Sequence, residues 1–537
     1  MNKKLASFLT TENIIKRDIS IQVITLFSET LLQERKNNQD TELNISNEIK
    51  MLDVNVSSGL RSLRYVKEIP LLSSITVNNP NIQNSELFMN NLERNNISKE
   101  KVNYSSVDPR IAMYSYIDLS KQYDIIELDS YKSVSTYLDA AVQAITHGGL
   151  LCITNTDANV LKGYYPEICY SRYGSIPLPE LYSDEQSIRI LLHSLETAAN
   201  RYGRYIHPWL CISNINTQRL YIRVYNSPAK VRKCLMHQVR VYQSSRCPSF
   251  VVQGLGRYKK STMGLVATEG YSDTSSSSDN SSSSECINMS DDSAMTELMT
   301  TFGSNNRGIT NSCSGSGSDT SSNDTATDSD TGTYATTTNT TYILDNTANT
   351  NIIQTIAPLP IVSYHSTPLH LEPSGETMFA TATYDISSYC EESGGKWKIG
   401  GPYYGGSLYD TDIINSLLFK YKNIKYQFKQ LNKLKNNQNN THNMENNTEI
   451  NNSVEYNSDI KNINTIILLL TDINMELNDI LFYYDIRKLA QTIQCSKVPK
   501  VLEIQSALVN AGYRVSGFQN NAFAIKTDAS YTVVSVQ

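Results

Sequence analysis

Residues 123–157 predict a strand, a helix and a second strand in immediate succession. The first strand covers residues 124–128 and ends at Asp129, and the second covers residues 150–154 after a turn at Gly148 and Gly149. Two apolar strands joined through a helix pair in parallel and are buried on both faces. Because ligands of an open α/β sheet bind at the carboxyl ends of its strands, Asp129 is a candidate functional residue.

The rest of residues 1–226 repeats this alternation of apolar strands and helical segments. The last two strands are joined by a short turn at residues 214–219, so we expect them to pair antiparallel. The seven predicted strands are 51–54, 75–78, 102–107, 124–128, 150–154, 209–213 and 220–224. A parallel α/β sheet closed by one hairpin resembles the Rossmann-like, seven-stranded sheet of the class I S-adenosylmethionine-dependent methyltransferases.

The composition argues against several classes of protein. Nine cysteines are scattered over 537 residues without a CxxC pair, which is not the pattern of a disulfide framework. No apolar run approaches the length of a membrane span, and the N-terminal residues make a poor signal peptide. We therefore expect an intracellular protein of the nucleus, the cytoplasm or the mitochondrion. Because the formal net charge is −6, contact with a nucleic acid must depend on local basic patches.

Two low-complexity segments divide the chain. Residues 269–351, rich in Ser, Thr, Asn and Asp, predict a disordered insertion, and the asparagine-rich residues 436–460 predict a linker. The remaining parts are a methyltransferase domain at 1–226, a connector at 227–268, and a C-terminal α+β domain in two pieces, 352–435 and 461–537.

A strand that ends near Asp53 leads into a turn of small residues, 57–59, which lets the backbone approach a ligand closely. Such a turn alone is weakly specific. The segment up to Tyr65 also fits the pattern Asp-x-x-x-x-Ser-Gly-x-Arg-x-x-Arg-Phe/Tyr, with Arg61 and Arg64 at the two arginine positions. In this pattern the chain resembles the tRNA guanine-26 N2-dimethyltransferases, and the resemblance extends over nearly all of the residues predicted to be ordered.

The resemblance implies that S-adenosyl-L-methionine is the cofactor. Arg61 or Arg64 would pair with the carboxylate of its methionine, although a surface ion pair is an equally open interpretation of Arg64. Asn79 stands where the family has an acid for the ribose hydroxyls, and Asp108 would face the adenine amine. The implied cofactor-binding residues are Arg17, Asp53, Gly59, Arg61, Arg64, Asn79, Asp108 and Pro109.

The same resemblance places Asp129 and Tyr131 in the catalytic site. Where the family has Asp-Pro-Tyr/Phe-Gly, this chain has Asp129, Ser130, Tyr131 and Lys132. Asp129 would accept a hydrogen from the guanine amine, and the ring of Tyr131 would stack on the displaced base. The alternative interpretation of Asp129 is a helix N-cap.

Many members of this family carry a zinc ribbon made of two CxxC pairs. Here the corresponding positions are Ser244 with Cys247, and Cys390 with Ser393. Because hydroxyls are poor zinc ligands and two thiolates rarely make a closed site, we predict no structural zinc.

Basic residues predict where tRNA, the expected partner, would bind. Lysines follow one another without an intervening acid over residues 420–435, interleaved with aromatic residues that offer stacking faces. The predicted tRNA-binding residues are Lys420, Lys422, Lys425, Lys429 and Lys526, and a solvated helix face is the alternative for the first four. A second basic patch surrounds Lys230.

The sequence therefore predicts an enzyme that methylates the N2 amine of guanine 26 in tRNA, giving N2-methyl- and N2,N2-dimethylguanosine. The alternative is a tRNA-binding homologue of the same family with weakened or lost catalysis, because the family's motifs are altered at Asn79, Ser130, Lys132, Ser244 and Ser393.

Overall fold

Seven strands form one continuous sheet in the first half of the chain. In the computed structural model they are β1 (Lys50–Val54), β2 (Ser74–Asn78), β3 (Val102–Ser105), β4 (Tyr123–Asp129), β5 (Ile145–Asn155), β6 (Arg204–Asn214) and β7 (Thr217–Asn226). Their order across the sheet is β3-β2-β1-β4-β5-β7-β6. Strand β7 runs antiparallel to both of its neighbours, β5 and β6, and the other neighbouring strands pair in parallel. The seven predicted strands and the antiparallel hairpin are confirmed, and the fold is the predicted Rossmann-like one.

The structure describes residues 10–37, 47–259, 378–382, 386–439 and 446–536, except residues 55, 57–58, 82, 120, 131–132, 215 and 520. The insertion predicted at 269–351 lies outside the described residues, so its disorder stays a prediction.

The strands form where the sequence carries continuous apolar runs. In β4, six of the seven residues are buried, and only Asp129 at its end reaches solvent. The direction in which successive strands are added reverses between β1 and β4, which lie side by side. At such a reversal the connections leave in opposite directions and open a crevice at the carboxyl ends of the strands, where ligands bind in α/β proteins.

Eight helices precede or connect these strands in the described residues. They are α1 (Thr11–Asn37), α2 (Leu60–Glu68), α3 (Gln83–Arg94), α4 (Pro109–Tyr114), α5 (Leu138–Ala144), α6 (Ala158–Leu161), α7 (Pro166–Tyr173) and α8 (Ser183–Asn200). Helix α8 is buried along most of its length, including Glu185, Gln186 and Arg189. A helix buried on several faces must have further elements packed over it, and the second half of the chain supplies them.

The second half forms small sheets and helices. The strands are β8 (Gln238–Ser244), β9 (Phe250–Gly254), β10 (Gly256–Lys259), β11 (Met378–Thr381), β12 (Trp397–Tyr404), β13 (Tyr484–Asp485), β14 (Val515–Phe518) and β15 (Asn521–Thr527). The helices are α9 (Pro228–Lys233), α10 (Thr411–Asn439), α11 (Asn446–Met475), α12 (Ile486–Thr492), α13 (Val501–Asn510) and α14 (Tyr531–Val536). The described residues of both halves belong to one compact unit.

The asparagine-rich segment 436–460 differs from the predicted linker, because helices α10 and α11 run into it from both sides. Asparagine costs a helix only a fraction of a kcal/mol per residue, so it does not stop a helix that is held elsewhere by packing. The apolar end of α11 supplies that packing through Ile466, Leu470 and Ile473, which are fully buried.

None of the helices in the described residues has the length and apolar character that crossing a lipid bilayer requires.

Candidate active site

Asp129 lies at the carboxyl end of β4 with its side chain 41% exposed. Its Oδ2 is 2.8 Å from Nη1 of Arg61 on α2, and the same nitrogen is 2.8 Å from Oε1 of Glu127. Helix α5 begins only at Leu138, with Tyr137 at its N-cap position. Asp129 is therefore not a helix cap, and its carboxylate faces the crevice beside β1.

A buried ion network of Glu127 and Arg219 contacts Asp129 through Arg61. Glu127 is fully buried and accepts hydrogen bonds from both terminal nitrogens of Arg219, at 2.6 and 2.8 Å, and from the hydroxyl of Tyr65 at 3.0 Å. Burial acts to raise the pKa of Glu127, but Arg219 and Arg61 together hold it below its ordinary value. Because Arg219 balances the charge of Glu127, Arg61 can be shared with Asp129.

Sequence reasoning missed this network. It places Glu127 within an apolar strand and Arg219 within a turn, and gives neither residue a role in the site. The sequence did contain a signal for this network, namely the charge of Glu127 within an apolar strand. Burying an unpaired charge in a central strand costs free energy, so such a residue needs a buried partner of opposite sign.

The turn after β1 requires a glycine. Gly59 precedes α2 with φ at 76°, and a Cβ there would lie 2.2 Å from the ring of Phe88. Asp53, next to the end of β1, is buried and accepts a hydrogen bond from Ser62 at 2.6 Å. Burial, followed by the charge of Glu127, raises the pKa of Asp53 to about 7. The other small residues of the turn, 57 and 58, lie outside the described residues.

Three predicted arginines meet beside this turn. Burial lowers the pKa of Arg17, and the positive charges of Arg64 and Arg61 lower it further. Arg64 donates to Asp18 at 2.8 Å and to Glu68 at 2.6 and 2.9 Å, so it takes part in the partly exposed ion pair that the alternative interpretation anticipated. Clustered guanidinium groups make this end of the crevice suited to a carboxylate.

Asn79 and Asp108 follow β2 and β3 at the same edge of the sheet. The amide nitrogen of Asn79 donates to the carbonyl of Val56, and its oxygen accepts from the backbone of Asn81 at 2.8 Å. An aspartate could not donate the first of these bonds, so the amide fastens this turn to the one after β1. Asp108 caps α4, where Pro109 is the buried first residue, and pairs with Arg110 at 3.1 Å.

The loop after Asp129 is anchored on both sides of a gap. Tyr131 and Lys132 lie outside the described residues, so the stacking role of Tyr131 stays a prediction. The backbone of Ser130 donates to the carbonyl of Thr154 at 3.3 Å. On the other side, the hydroxyls of Ser133 and Tyr173 are 2.7 Å apart.

Side chains that follow β5 complete this support. The hydroxyl of Tyr173 donates to Asp157 at 3.1 Å, and Oδ1 of Asn155 accepts from the backbone of Val134 at 3.3 Å. Sequence reasoning left the role of Asp157 open between support of the site and helix packing, and it gave Tyr173 and Asn155 no place in the site, because their contacts join segments that are distant along the chain.

The predicted tRNA-binding lysines divide into two groups. Lys526 is 1% exposed, with its Nζ 2.7 Å from Glu476 and 3.2 Å from Glu185, so its prediction as a tRNA contact is wrong. A lysine in this position balances buried acids and cannot reach a phosphate. The other four lie on α10, where Lys422 and Lys429 are exposed, Lys425 is half-buried and Lys420 pairs with Glu29 at 2.6 Å.

The four positions that correspond to a zinc ribbon do come together. The hydroxyls of Ser244 and Ser393 are 3.0 Å apart, and the sulfurs of Cys247 and Cys390 are 3.7 Å apart. Two thiols and two neutral hydroxyls do not fit the ligand set of a closed structural zinc site, and the lack of such a zinc stays a prediction.

Comparisons with known proteins agree with this geometry. The family model for N2,N2-dimethylguanosine tRNA methyltransferases matches residues 4–291 and 436–536. A human tRNA (guanine(26)-N(2))-dimethyltransferase is 40% identical over 209 residues, which cover 39% of this chain and 32% of the human protein. An Arabidopsis thaliana tRNA (guanine(26)-N(2))-dimethyltransferase 2 is 25% identical over 486 residues, which cover 90% of this chain and 58% of the plant protein. The matched part thus spans less than two thirds of either relative.

A solved structure shares the fold over nearly the whole chain. It is Trm1 from Pyrococcus horikoshii in complex with S-adenosyl-L-methionine, with a TM-score of 0.56 and 16% sequence identity. The similarity covers 98% of this chain and 93% of the archaeal one.

Proposed function

This chain belongs to the family of N2,N2-dimethylguanosine tRNA methyltransferases, and on that premise we propose that it methylates the N2 amine of guanine 26 in tRNA. The donor is S-adenosyl-L-methionine, and the products are N2-methyl- and N2,N2-dimethylguanosine. The observation that carries the proposal is Asp129, a half-exposed carboxylate at the end of β4 beside the Gly59 turn of β1.

The residues of the crevice fit the proposed cofactor. The turn after β1 requires Gly59, because its φ is 76° and the ring of Phe88 occupies the position of a Cβ, and a turn of small residues lets the backbone approach a ligand. Arg17, Arg61 and Arg64 supply positive charge for a carboxylate. When bound, S-adenosyl-L-methionine supplies an electrophilic sulfonium methyl group.

We assign the action on the amine to Asp129. The lone pair of the guanine amine is delocalised into the ring, and a carboxylate that accepts one amine hydrogen localises it on nitrogen. Arg61 bridges Asp129 to Glu127 and fixes the direction of the carboxylate. A positioned acceptor of this kind contributes about 3 kcal/mol or more to lowering a barrier, provided that the base has left its stack and lies in line.

The loop that leads to Tyr131 would hold the displaced base. Ser130 and Ser133 fix its ends, and the hydroxyl of Tyr173 fastens Ser133 to Asp157 at the end of β5. Tyr131 follows Asp129 by two residues in the sequence, and its ring is the aromatic group that we propose for stacking on the displaced base.

The tRNA itself would contact the exposed face of α10. Lys422, Lys429 and the 63% exposed ring of Tyr426 offer point charges for phosphates and a stacking surface. The opposite face of this helix packs in the core through Leu417 and Tyr421, so the basic face has a fixed orientation. The compartment in which the protein works stays a prediction.

The test is transfer of a tritiated methyl group from labelled S-adenosyl-L-methionine to a tRNA with guanine at position 26. The expected result is incorporation into N2-methyl- and N2,N2-dimethylguanosine, and none into the same tRNA with adenine at position 26. Equal incorporation into both would overturn the assignment of the site. Tight tRNA binding without incorporation would instead establish the non-catalytic homologue.

A further inference from the structure

Two short turns face each other where the zinc-ribbon positions meet. The first spans residues 244–247 after β8, and the second spans residues 390–395 before β12. A backbone hydrogen bond joins the two segments, since Ser245 donates to the carbonyl of Lys396 at 2.9 Å. Within the second turn, Cys390 donates to the carbonyl of Gly395 at 2.8 Å. Pairing of β8 with β12 continues this contact, with Trp397 opposite Ser244.

Hydrogen bonds hold both turns in shape. Nε2 of Gln243 donates to the carbonyls of Ser244, Cys247 and Ser249 at 3.2–3.3 Å. The backbone of Cys247 donates to the hydroxyl of Ser244 at 3.4 Å, and Gly394 donates to the carbonyl of Cys390 at 2.7 Å. The turns are therefore preorganised by the protein's own groups.

Within this frame the two thiols are in contact. Cys247 is 7% exposed, Cys390 is 1% exposed, and their sulfurs are 3.7 Å apart although 143 residues separate them in the sequence. A disulfide has a sulfur–sulfur distance of about 2.05 Å, which side-chain rotation can reach from this contact when the backbone is already close. We propose that Cys247 and Cys390 are a redox-modification site that closes to a reversible disulfide.

The surroundings favour the reaction. Cys247 lines a cavity of about 110 Å³ together with Arg246, Lys398 and Tyr484. The cavity is large enough for a small oxidant such as hydrogen peroxide.

The chemistry balances with hydrogen peroxide as the oxidant. The sulfur of Cys247 attacks one peroxide oxygen, the O–O bond breaks, and a sulfenic acid forms with release of water. The thiolate of Cys390 then attacks the sulfur of Cys247 and displaces the hydroxyl group, which leaves as a second water molecule. Both cysteines together lose two electrons and two protons, and one peroxide is reduced to two waters.

The test oxidises the full-length chain with hydrogen peroxide, alkylates the remaining thiols and digests the protein without reductant. Mass spectrometry should find the peptides of Cys247 and Cys390 linked, two hydrogen masses below their sum, and dithiothreitol should separate them. Cys495→Ser removes an exposed thiol and should leave the link intact. Cys247→Ser and Cys390→Ser should each abolish it.

Because a cysteine variant could lose the link by folding poorly, the melting temperature is measured as well. A link across this distance restricts the unfolded chain, so oxidation should raise the melting temperature of the parent and of Cys495→Ser, but not of Cys390→Ala. The proposal is overturned if Cys247 and Cys390 stay alkylatable at a peroxide concentration that oxidises Cys495. It is also overturned if one metal ion per chain co-purifies and is lost in Cys247→Ser.

Discussion

Two networks of ion pairs between basic side chains and carboxylates differ in their exposure to solvent. The first, on the sheet, joins Arg219, Glu127, Arg61 and Asp129, and its last two members are 20% and 41% exposed. The second joins Arg189 and Glu185 on α8 to Glu476 and Lys526, and all four are at most 2% exposed. The first network opens into the crevice, whereas the second is sealed between the two halves of the chain.

The two networks differ in whether a charged group can be reached from solvent. A sealed network of two cations and two acids is neutral and can only hold elements together, here α8, the end of α11 and β15. A network with an open end presents a carboxylate whose direction is fixed from behind, which is what a reaction requires. The sealed network should therefore govern stability, and the open one should govern turnover.

The largest expected effect is on the sealed network. Lys526→Met should lower the free energy of unfolding by about 3–5 kcal/mol, because Glu476 and Glu185 would keep buried negative charge that Arg189 alone cannot balance. Chemical denaturation measures this decrease. Lys488→Met is the matched control, since Lys488 is exposed in the same half of the chain. A decrease as small as that of the control would show that this network does not stabilise the folded protein.

The open network should show the opposite behaviour. Asp129→Asn should slow methyl transfer by on the order of a hundredfold, about 3 kcal/mol in the barrier, because the amide is a weaker acceptor for the amine hydrogen. Stability should change by less than about 1 kcal/mol, since the pair with Arg61 is partly exposed. Single-turnover rates and denaturation measure the two effects, with Glu167→Gln on exposed α7 as the control. An unchanged rate would remove Asp129 from the mechanism.

Beside the open network, Asp53 should make stability depend on pH. Its pKa rises from 3.8 to about 7 on folding, so the folded protein holds a proton that the unfolded chain releases. Stability from this group is fully present below about pH 4 and is lost as the pH rises towards 7, at up to about 1.4 kcal/mol per pH unit.

Asp53→Asn, which can still accept from Ser62, should lack this dependence. The measurement is the difference in unfolding free energy between parent and variant from pH 4 to 8. A difference that does not change with pH would contradict the assignment.

The smallest expected effect is at the surface of α10. Replacing Lys422 and Lys429 with Glu should weaken tRNA binding and reduce the slope of log affinity against log salt by about one unit for each phosphate that the protein no longer neutralises. Replacing Lys497 and Lys500, which are exposed before α13, gives a control with the same change in charge. If both double variants bind tRNA with the same affinity, the lysines of α10 are solvated side chains that do not contact tRNA. The affinity for S-adenosyl-L-methionine should be unaffected in either variant.

The sheet was predictable because its information is local. A buried strand such as β4 is an unbroken apolar run, and a glycine-containing turn follows β1, so strand positions and the edge that carries Asp53, Gly59 and Asp129 could be read along the chain. The ends of strands were less predictable. Strand β5 begins at Ile145, five residues before the predicted start, because pairing with neighbours extends a strand through residues that are not apolar.

What the sequence alone determined is the fold, its family and the identity of the residues at the crevice. What only the tertiary structure decided is which charges meet. Lys526 has the same chemistry as Lys422, yet folding buries Lys526 beside Glu185 and Glu476 and leaves Lys422 exposed to solvent. Arg219 likewise pairs with Glu127 across 92 residues of sequence, and Cys247 contacts Cys390 across 143 residues. Residue type and spacing encode local conformation, whereas burial and partnership depend on contacts between distant segments, which form only when the chain has folded.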